Sequence, residues 1–283
     1  TNGDVLRLVY APRGESTGAL SFNAADMASV GGRPILDAFL SLLSAGRCYA
    51  GAADRMLGAL LSESRKRQAN VTNDLAAQVF EAVDILLHGF EAAAERDGTS
   101  ALREAMEADE KHPGAHVYGG LLTTMLRLVF LLYAEDRGLM PMAHPVYARH
   151  LSVLGLFEQL QQDAGTNPDT MGRRFGAWSR LLVLFRAVFE GARWDGLHMP
   201  ARRGRLFDPN GYPFLEGWTQ GGSAPHDVES RAAVRVPSID DETVYRVLDK
   251  LILLDGQRLS YRALDVEQIG SVYEALMGYH VQR

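Results

Sequence analysis

Apolar residues recur at the three- and four-residue spacing of an α-helix through most of the chain, most completely over residues 117–137. The apolar face of that stretch comprises Leu121, Leu122, Met125, Leu128, Val129 and Leu132. Gly138 and Pro141 mark its end, because glycine favours the left-handed conformation after a helix and proline cannot continue one. The sequence therefore predicts a mainly α fold, a multi-helix bundle whose apolar stripes form a packed core.

Breaks between the stripes predict where the other helices begin and end. Pro34 opens the first helix, a second covers 53–63, a longer one follows it, and a break comes at 97–99. One or two shorter helices are predicted over 145–163, and another long one over 171–190. The predicted buried stripe of this last helix comprises Phe175, Trp178, Leu182, Phe185 and Phe189.

Strands are predicted to be few and short. Residues 5–10 alternate as an edge strand does, and a loop containing Pro and Gly follows them. Minor strands are also predicted around 204–215 and 258–261. Residues 191–237 are dense in Gly, Pro, Arg and aromatic side chains, which is typical of an ordered loop region rather than a disordered linker. Two helices close the chain over 238–283, the second opened by a capping box at Asp265 to Gln268.

Composition restricts the classes of function. The net charge is −6, from 29 basic and 35 acidic residues, so any contact with nucleic acid must be local. Cys48 is the single cysteine, which excludes an internal disulfide and favours a reducing, cytoplasmic compartment. The sequence shows no signal peptide and no apolar run of bilayer length, so no membrane partner is expected.

Motifs that carry catalysis are absent from the sequence. It contains no phosphate-binding loop, dinucleotide-binding turn, nucleophile elbow or cysteine pair, so no catalytic residue and no metal site are predicted. Glu135, Asp136 and Arg137 lie at the end of the predicted helix over 117–137, where carboxylates oppose the helix dipole. We expect them to join a structural ion-pair network with a cation from elsewhere in the fold. Catalysis by Glu135, Asp136 and a histidine is the alternative.

Two basic clusters are candidates for contact with phosphate. Arg65, Lys66 and Arg67 lie where two predicted helices meet. The second cluster lies in the glycine-rich loop beside Trp194 and Phe207, and comprises Arg193, Arg202, Arg203 and Arg205. Arginine among small residues suits phosphate, because its fork pairs with two phosphate oxygens, but arginine also forms ordinary loop-to-helix salt bridges.

Several stretches together resemble fused type II restriction–modification enzymes and related adenine-specific DNA methyltransferases, including those of phage-defence systems such as BREX and DISARM. Near the N-terminus, Thr1-Asn2-Gly3 with Arg7-Leu8 resembles the closing strand of their nuclease-like domain. The other matching stretches are LRLVFLLYAEDRGLMP at 126–141, GRLFDP at 204–209, FLE at 214–216 and LSYRALDVEQIGSVYE at 259–274. They follow one another in the order found in that family.

The resemblance implies a domain organisation. Residues 1–20 would end a preceding nuclease-like domain, 21–190 would form a helical bundle, 191–237 the Gly/Pro/Arg-rich loop region, and 238–283 helices that lead into a methyltransferase domain. The parent proteins use S-adenosylmethionine, and magnesium where the nuclease is active. The segment has no Asn-Pro-Pro-Tyr/Phe motif, no glycine-rich cofactor loop and no nuclease core, so no cofactor is expected within it.

The expected role is therefore that of a non-catalytic helical connector between two catalytic domains. Its expected partners are those flanking domains and, through the parent protein, duplex DNA. The candidate phosphate contacts are Arg65, Lys66, Arg67, Arg202, Arg203 and Arg205. The alternative is a protein-interaction scaffold of a defence complex that never touches DNA, and this alternative predicts an exposed apolar patch.

Overall fold

The structure is a computed structural model that describes residues 3–13, 17–29, 32–109, 111–218, 235–254, 256–261 and 270. For residues 65–73 and 257 it describes the backbone alone. The fold is mainly α, as predicted. The chain divides into two compact units, Thr1–Val71 and Thr72–Arg283. The capping box and second closing helix predicted after residue 261 lie outside the described residues.

The helices of the described chain are α1 (Ala24–Ala28), α2 (Arg33–Leu42), α3 (Leu57–Asp97), α4 (Ala101–Glu107), α5 (Ala115–Asp136), α6 (Val153–Thr166), α7 (Ala177–Glu190) and α8 (Asp241–Ile252). Shorter 3-10 or π turns occupy Gly46–Ala50, Ala53–Arg55, Tyr147–Leu151, Pro168–Arg173, Arg205–Phe207 and Pro213–Glu216. The strands form antiparallel pairs, which are β1 (Val5–Tyr10) with β2 (Gly18–Asn23), β3 (Ala192–Trp194) with β4 (Leu197–Met199), and β5 (Leu253–Leu254) with β6 (Gln257–Arg258).

Three predicted elements differ from the structure. The two helices predicted over 53–97 are one helix, α3. The chain between Leu57 and Asp97 contains no proline, and its two glycines, Gly58 and Gly89, do not end the helix. The strand predicted around 204–215 is a pair of 3-10 turns, and strands lie at 192–199 instead. The helix predicted from residue 171 begins at Ala177, so Phe175 precedes it and is 48% exposed.

The first unit consists of a β-hairpin, short helices and the beginning of α3. β1 pairs with β2 in continuous register from Val5↔Asn23 to Tyr10↔Gly18. The predicted division of the chain after residue 20 therefore falls inside β2. Phe22 packs edge-to-face on Phe39 of α2, with ring centroids 5.2 Å apart. Gly32 caps the start of α2, where a Cβ would lie 1.7 Å from the carbonyl oxygen of Asp26.

Much apolar surface remains uncovered in this first unit. Phe22 is its buried hydrophobic residue among those described, and α2 buries no residue. The exposed large hydrophobics are Val9, Leu20, Ile35, Leu40 and Tyr49. Tyr49 alone has 87% of its surface exposed. Apolar side chains left exposed on an amphipathic helix and on the strand beside Phe22 indicate a surface that is available to another molecule.

The second unit is built around α5. This helix packs on α4, on α6 and on the turn Arg205–Phe207, while α8 packs on α6 and α7. An aromatic cluster joins α3 to this core, with Phe90 edge-to-face on Trp178 at 5.3 Å and on Phe214 at 5.5 Å. These contacts hold elements that are far apart in sequence in one packed core.

Helix α5 is long and apolar enough to cross a membrane by length and composition alone. It is the one such helix in the described ranges, and 67% of its most apolar window is buried inside the fold. Leu128 and Leu131 have no exposed surface. This burial is that of a core helix in a soluble protein.

Close packing of α5 gives the first testable prediction. A Cβ at Gly120 would lie 2.6 Å from Cε1 of Phe214, whose ring is buried in the aromatic cluster. Gly120→Ala should therefore lower the free energy of unfolding by about 1 to 2 kcal/mol, although alanine is the better helix former. Urea-induced unfolding followed by circular dichroism measures the change.

Gly165 on α6 is the matched control, because nothing lies within 4 Å of a Cβ built there. Gly165→Ala should leave stability unchanged or raise it by up to about 1 kcal/mol. Equal effects of the two substitutions would contradict the close approach of α5 to Phe214.

Candidate nucleic-acid interface

The candidate interface begins where α7 ends. Gly191 follows the helix with φ of +84°, and the chain then enters the β3–β4 hairpin. Asp195 and Gly196 form its two-residue turn, both with positive φ, which is the geometry that Asp-Gly sequences favour between paired strands. Nε2 of His144 donates to the carbonyl oxygen of Asp195 at 3.2 Å, which attaches the turn to the loop after α5.

The chain leaves the hairpin and returns to the end of α7. The backbone N–H of Arg202 donates to the carbonyl of Val188 at 2.9 Å, and that of Arg203 donates to the carbonyl of Phe189 at 3.2 Å. The last four carbonyls of a helix have no partner within the helix, and these two bonds satisfy two of those of α7. The backbone that carries Arg202 and Arg203 is thereby held against a rigid element.

The arginine side chains of this region point into solvent. The exposed set comprises Arg193, Arg202, Arg203 and Arg205. Within the ranges described, no carboxylate or carbonyl engages their guanidinium groups. Arg174 and Arg186 of the same unit, by contrast, pair with Asp163 and Glu216. The salt-bridge alternative for this cluster therefore has no partner among the described residues. Unpaired guanidinium forks on an ordered backbone suit phosphate oxygens.

Arg203 also has an unusual backbone conformation. Its φ of 45° lies in the left-handed region, which costs a residue with a Cβ about 1 kcal/mol relative to glycine. Glycine would fit this position with less strain.

Arg127 of α5 holds the base of the arginine-bearing loop. The side chain is 3% exposed, and it donates to the carbonyls of Leu206 at 2.6 Å and Asp208 at 3.1 Å. Its guanidinium also lies over the rings of Phe185 and Phe207, 5.3 and 5.9 Å from their centroids. Burial lowers the pKa of Arg127 to about 10, so it remains charged at neutral pH. Phe207 is therefore a core residue and is covered by its neighbours.

The turn at Pro213–Glu216 is attached to α7 in a similar way. Nε1 of Trp178 donates to the carbonyl of Leu215 at 3.1 Å. Glu216 is buried and accepts from Nε of Arg186 at 3.1 and 3.2 Å. A forked arginine–carboxylate pair of this kind fixes both partners.

Glu135 has a role that the sequence did not reveal. Its buried carboxylate accepts four hydrogen bonds, and its donors are the Tyr147 hydroxyl, the Ser152 hydroxyl and the backbone N–H groups of Val153 and Leu154, at 2.8 to 3.1 Å. Where the sequence predicted a cation, the described structure has four neutral donors at the start of α6, which is a favourable place for a carboxylate. Burial raises the pKa of Glu135, and these bonds act in the opposite direction.

Asp136 and Arg137 lie in different surroundings. Oδ2 of Asp136 accepts from the Ser260 hydroxyl at 3.4 Å, which joins the stretch at 126–141 to the start of the stretch at 259–274. The guanidinium of Arg137 lies 5.1 Å from the ring centroid of Tyr133. Among the residues that the structure describes, no three His, Cys, Asp or Glu side chains are grouped to hold a metal ion.

Arg65, Lys66 and Arg67 lie within α3, and not at a junction between helices as predicted. Only their backbone is described.

Three positioning residues do not follow from the sequence pattern, and these are Arg127, Glu216 and Asp241. Asp241 lies in the first turn of α8, but its Oδ1 accepts from the N–H groups of Gly176 and Ala177 at 2.8 Å and so caps α7. Asp240 caps α8 itself through the N–H of Thr243. A signal existed for Arg127, because a single basic residue inside a long apolar run predicts a buried, bonded guanidinium.

No protein-family model matches this chain, and no curated protein or solved structure is significantly similar to it.

Proposed function

We propose that this chain is a non-catalytic helical connector in a bacterial restriction–modification or phage-defence adenine-specific DNA methyltransferase. The supporting observation is that stretches quoted for the resemblance contact one another, although they are far apart in sequence. Arg127, in the stretch at 126–141, donates to the carbonyls of Leu206 and Asp208, in the stretch at 204–209. Asp136, in the stretch at 126–141, accepts a hydrogen bond from the hydroxyl of Ser260, in the stretch at 259–274. These hydrogen bonds hold the three stretches together in one unit of the fold.

In this proposal the second unit presents arginines at a fixed position. Arg202, Arg203 and Arg205 contact DNA phosphates, and α5 and α7 hold the loop that carries them. A methyltransferase must extrude its target adenine, so the duplex has to be held while the base leaves the stack. The flanking nuclease-like and methyltransferase domains, the S-adenosylmethionine of the parent, its magnesium where a nuclease is active, and a cytoplasmic location belong to the same proposal.

Binding to a fluorescein-labelled duplex tests the phosphate contacts. Fluorescence anisotropy between about 50 and 200 mM salt should give a logarithmic slope of about −3, since each phosphate contact contributes about −0.9. Arg202→Glu with Arg203→Glu and Arg205→Glu should weaken binding at least about tenfold and flatten the slope. The same triple change at Arg65, Lys66 and Arg67 tests the other cluster.

Arg203→Gly is the control that separates charge from folding. It removes the guanidinium and the strained φ together, so it should raise the free energy of unfolding by up to about 1 kcal/mol and still weaken binding. Binding without salt dependence, or unchanged affinity after charge reversal at both clusters, would show that the assigned phosphate contacts are wrong.

A second candidate is the protein-interaction scaffold, and the first unit supports it. Leu40 of α2 is 57% exposed and Tyr49 is 87% exposed, and Phe22 is the large side chain that this unit buries among the described residues. A scaffold predicts a stable complex with another defence protein and no DNA binding at low salt. Leu40→Glu with Tyr49→Glu should abolish that complex, whereas the connector should bind DNA equally well with both changes.

A further inference from the structure

The hairpin of the first unit has an open edge along β2. In the described part of the chain, β1 is the strand that pairs with β2, so the two strands form a sheet of their own. Ala19, Leu20 and Ser21 are consecutive exposed residues of β2. A two-stranded sheet is at best marginally stable in water, and Phe22 is the buried hydrophobic residue of the described hairpin. The hairpin therefore gains stability when a further strand joins it.

The ladder hydrogen bonds show which backbone groups of β2 point away from β1. The N–H of Ala24 donates to the carbonyl of Asp4 at 2.8 Å, immediately beyond the paired residues Val5 and Asn23. Hydrogen-bonded and non-hydrogen-bonded pairs alternate along an antiparallel ladder, so the N–H and carbonyl of Ser21 point to the open edge. These two groups have no hydrogen-bond partner among the described residues.

The residues of β2 do nothing to block the addition of a strand. β2 has the sequence GALSFN, without a charged residue or a proline, and it pairs with β1 without a bulge. Charges, prolines and bulges are the features by which proteins protect open edges. The opposite edge of the hairpin differs, because the middle of β1 carries the exposed Arg7. One edge is thus open to a strand, and the other is protected by charge.

A second copy of this chain matches the β2 edge. A two-fold axis at Ser21 sets β2 antiparallel to its counterpart, with Leu20 of each copy beside Phe22 of the other. Leu20 is 45% exposed, and this pairing covers it with an aromatic ring. No charges meet at this axis. The equivalent pairing of two β1 strands would bring the Arg7 side chains of both copies together, which is unfavourable.

We propose that two copies of this chain associate through β2 into a four-stranded sheet with the strand order β1-β2-β2-β1. The charged β1 strands then form both outer edges, which stops further copies from adding. A two-fold axis closes the assembly at a dimer, the commonest form of soluble oligomer. This inference is independent of the proposed DNA contacts, because those arginines belong to the second unit or to α3.

Sedimentation velocity of the complete chain between about 1 and 100 μM tests the association. The mass should rise with concentration from 31.1 kDa to twice that value. Ser21→Pro removes the outward N–H, and it should weaken dimerisation at least about tenfold because proline is tolerated at an edge but cannot donate. Val9→Pro is the matched control, since Val9 has the same orientation on the β1 edge, and it should leave dimerisation unchanged.

Cross-linking locates the axis and does not depend on the folding of a proline variant. Ser21→Cys with Cys48→Ser should form a disulfide-linked dimer under mild oxidation, since the Cα atoms of a hydrogen-bonded pair lie about 5.5 Å apart. Val9→Cys with Cys48→Ser should remain a monomer on a non-reducing denaturing gel. A monomer at every concentration, continued growth beyond the dimer, or equal cross-linking at both positions would overturn the proposal.

Discussion

Arg127→Ala is expected to lower the free energy of unfolding by about 4 kcal/mol, because it leaves the carbonyls of Leu206 and Asp208 without a partner and opens a cavity beside Phe185. Urea-induced unfolding measures the loss. The same change should loosen the arginine-bearing loop. Amide hydrogen exchange at Arg202 and Arg203, whose N–H groups bond to α7, should therefore become faster.

Two further variants serve as comparisons for Arg127→Ala. Arg127→Lys keeps a charge but loses the fork, so it should cost about half as much. Arg246→Ala, on the exposed face of α8, should change stability by less than about 0.5 kcal/mol. A loss at Arg127 no larger than that at Arg246 would mean that the loop at 204–209 is held by something other than this guanidinium.

Glu135→Gln is expected to lower the free energy of unfolding by about 3 kcal/mol. The carboxylate accepts two hydrogen bonds on each oxygen, and glutamine turns one oxygen into an amide nitrogen that faces two donors. The start of α6 would then hold unpaired N–H groups in a buried place. Thermal unfolding of the variant beside the unaltered chain measures the effect.

Glu158→Gln provides the comparison within α6. The side chain of Glu158 is 67% exposed, and its Oε1 lies 3.7 Å from Nη1 of Arg258. The substitution should therefore change the free energy of unfolding by no more than about 0.5 kcal/mol. If Glu135→Gln were equally mild, the carboxylate of Glu135 would be free of the capping role and the catalytic alternative for it would return.

Helices with strong periodicity followed from the sequence with good accuracy. The stripe over 117–137 became α5, which spans Ala115–Asp136, and Gly138 adopts the predicted left-handed conformation with φ of +69°. These features depend on residues close together in the chain, so the pattern contains the information. The division within α3 was wrong because a change in apolar pattern marks a change of neighbours and does not by itself end a helix.

The hairpin strands were harder to predict. β3 and β4 have three residues each, too few for an alternating pattern, although Asp195-Gly196 offered the one local signal. β2 was missed since Gly18, Ser21 and Asn23 are poor strand residues that pair because β1 lies beside them. Pairing with a neighbouring strand therefore determines these strands more than the strand preference of their own residues does.

The candidate site residues divide in the same way. The exposed arginines at 202, 203 and 205 were identified from composition, since clustered arginine among glycines is visible in one stretch. Arg127 and Glu135 acquire their roles from partners 79 and 18 residues away. Such roles depend on tertiary contacts, and a list of charged residues along the chain does not contain them.

Determining the coding sequence on both sides of this segment tests the central claim most directly. The connector proposal predicts that a glycine-rich cofactor loop and an Asn-Pro-Pro-Tyr/Phe motif follow within the next domain length. A reading frame that begins near Thr1 and stops near Arg283 would contradict the connector role. The scaffold would then become the better account of the exposed apolar surface in the first unit.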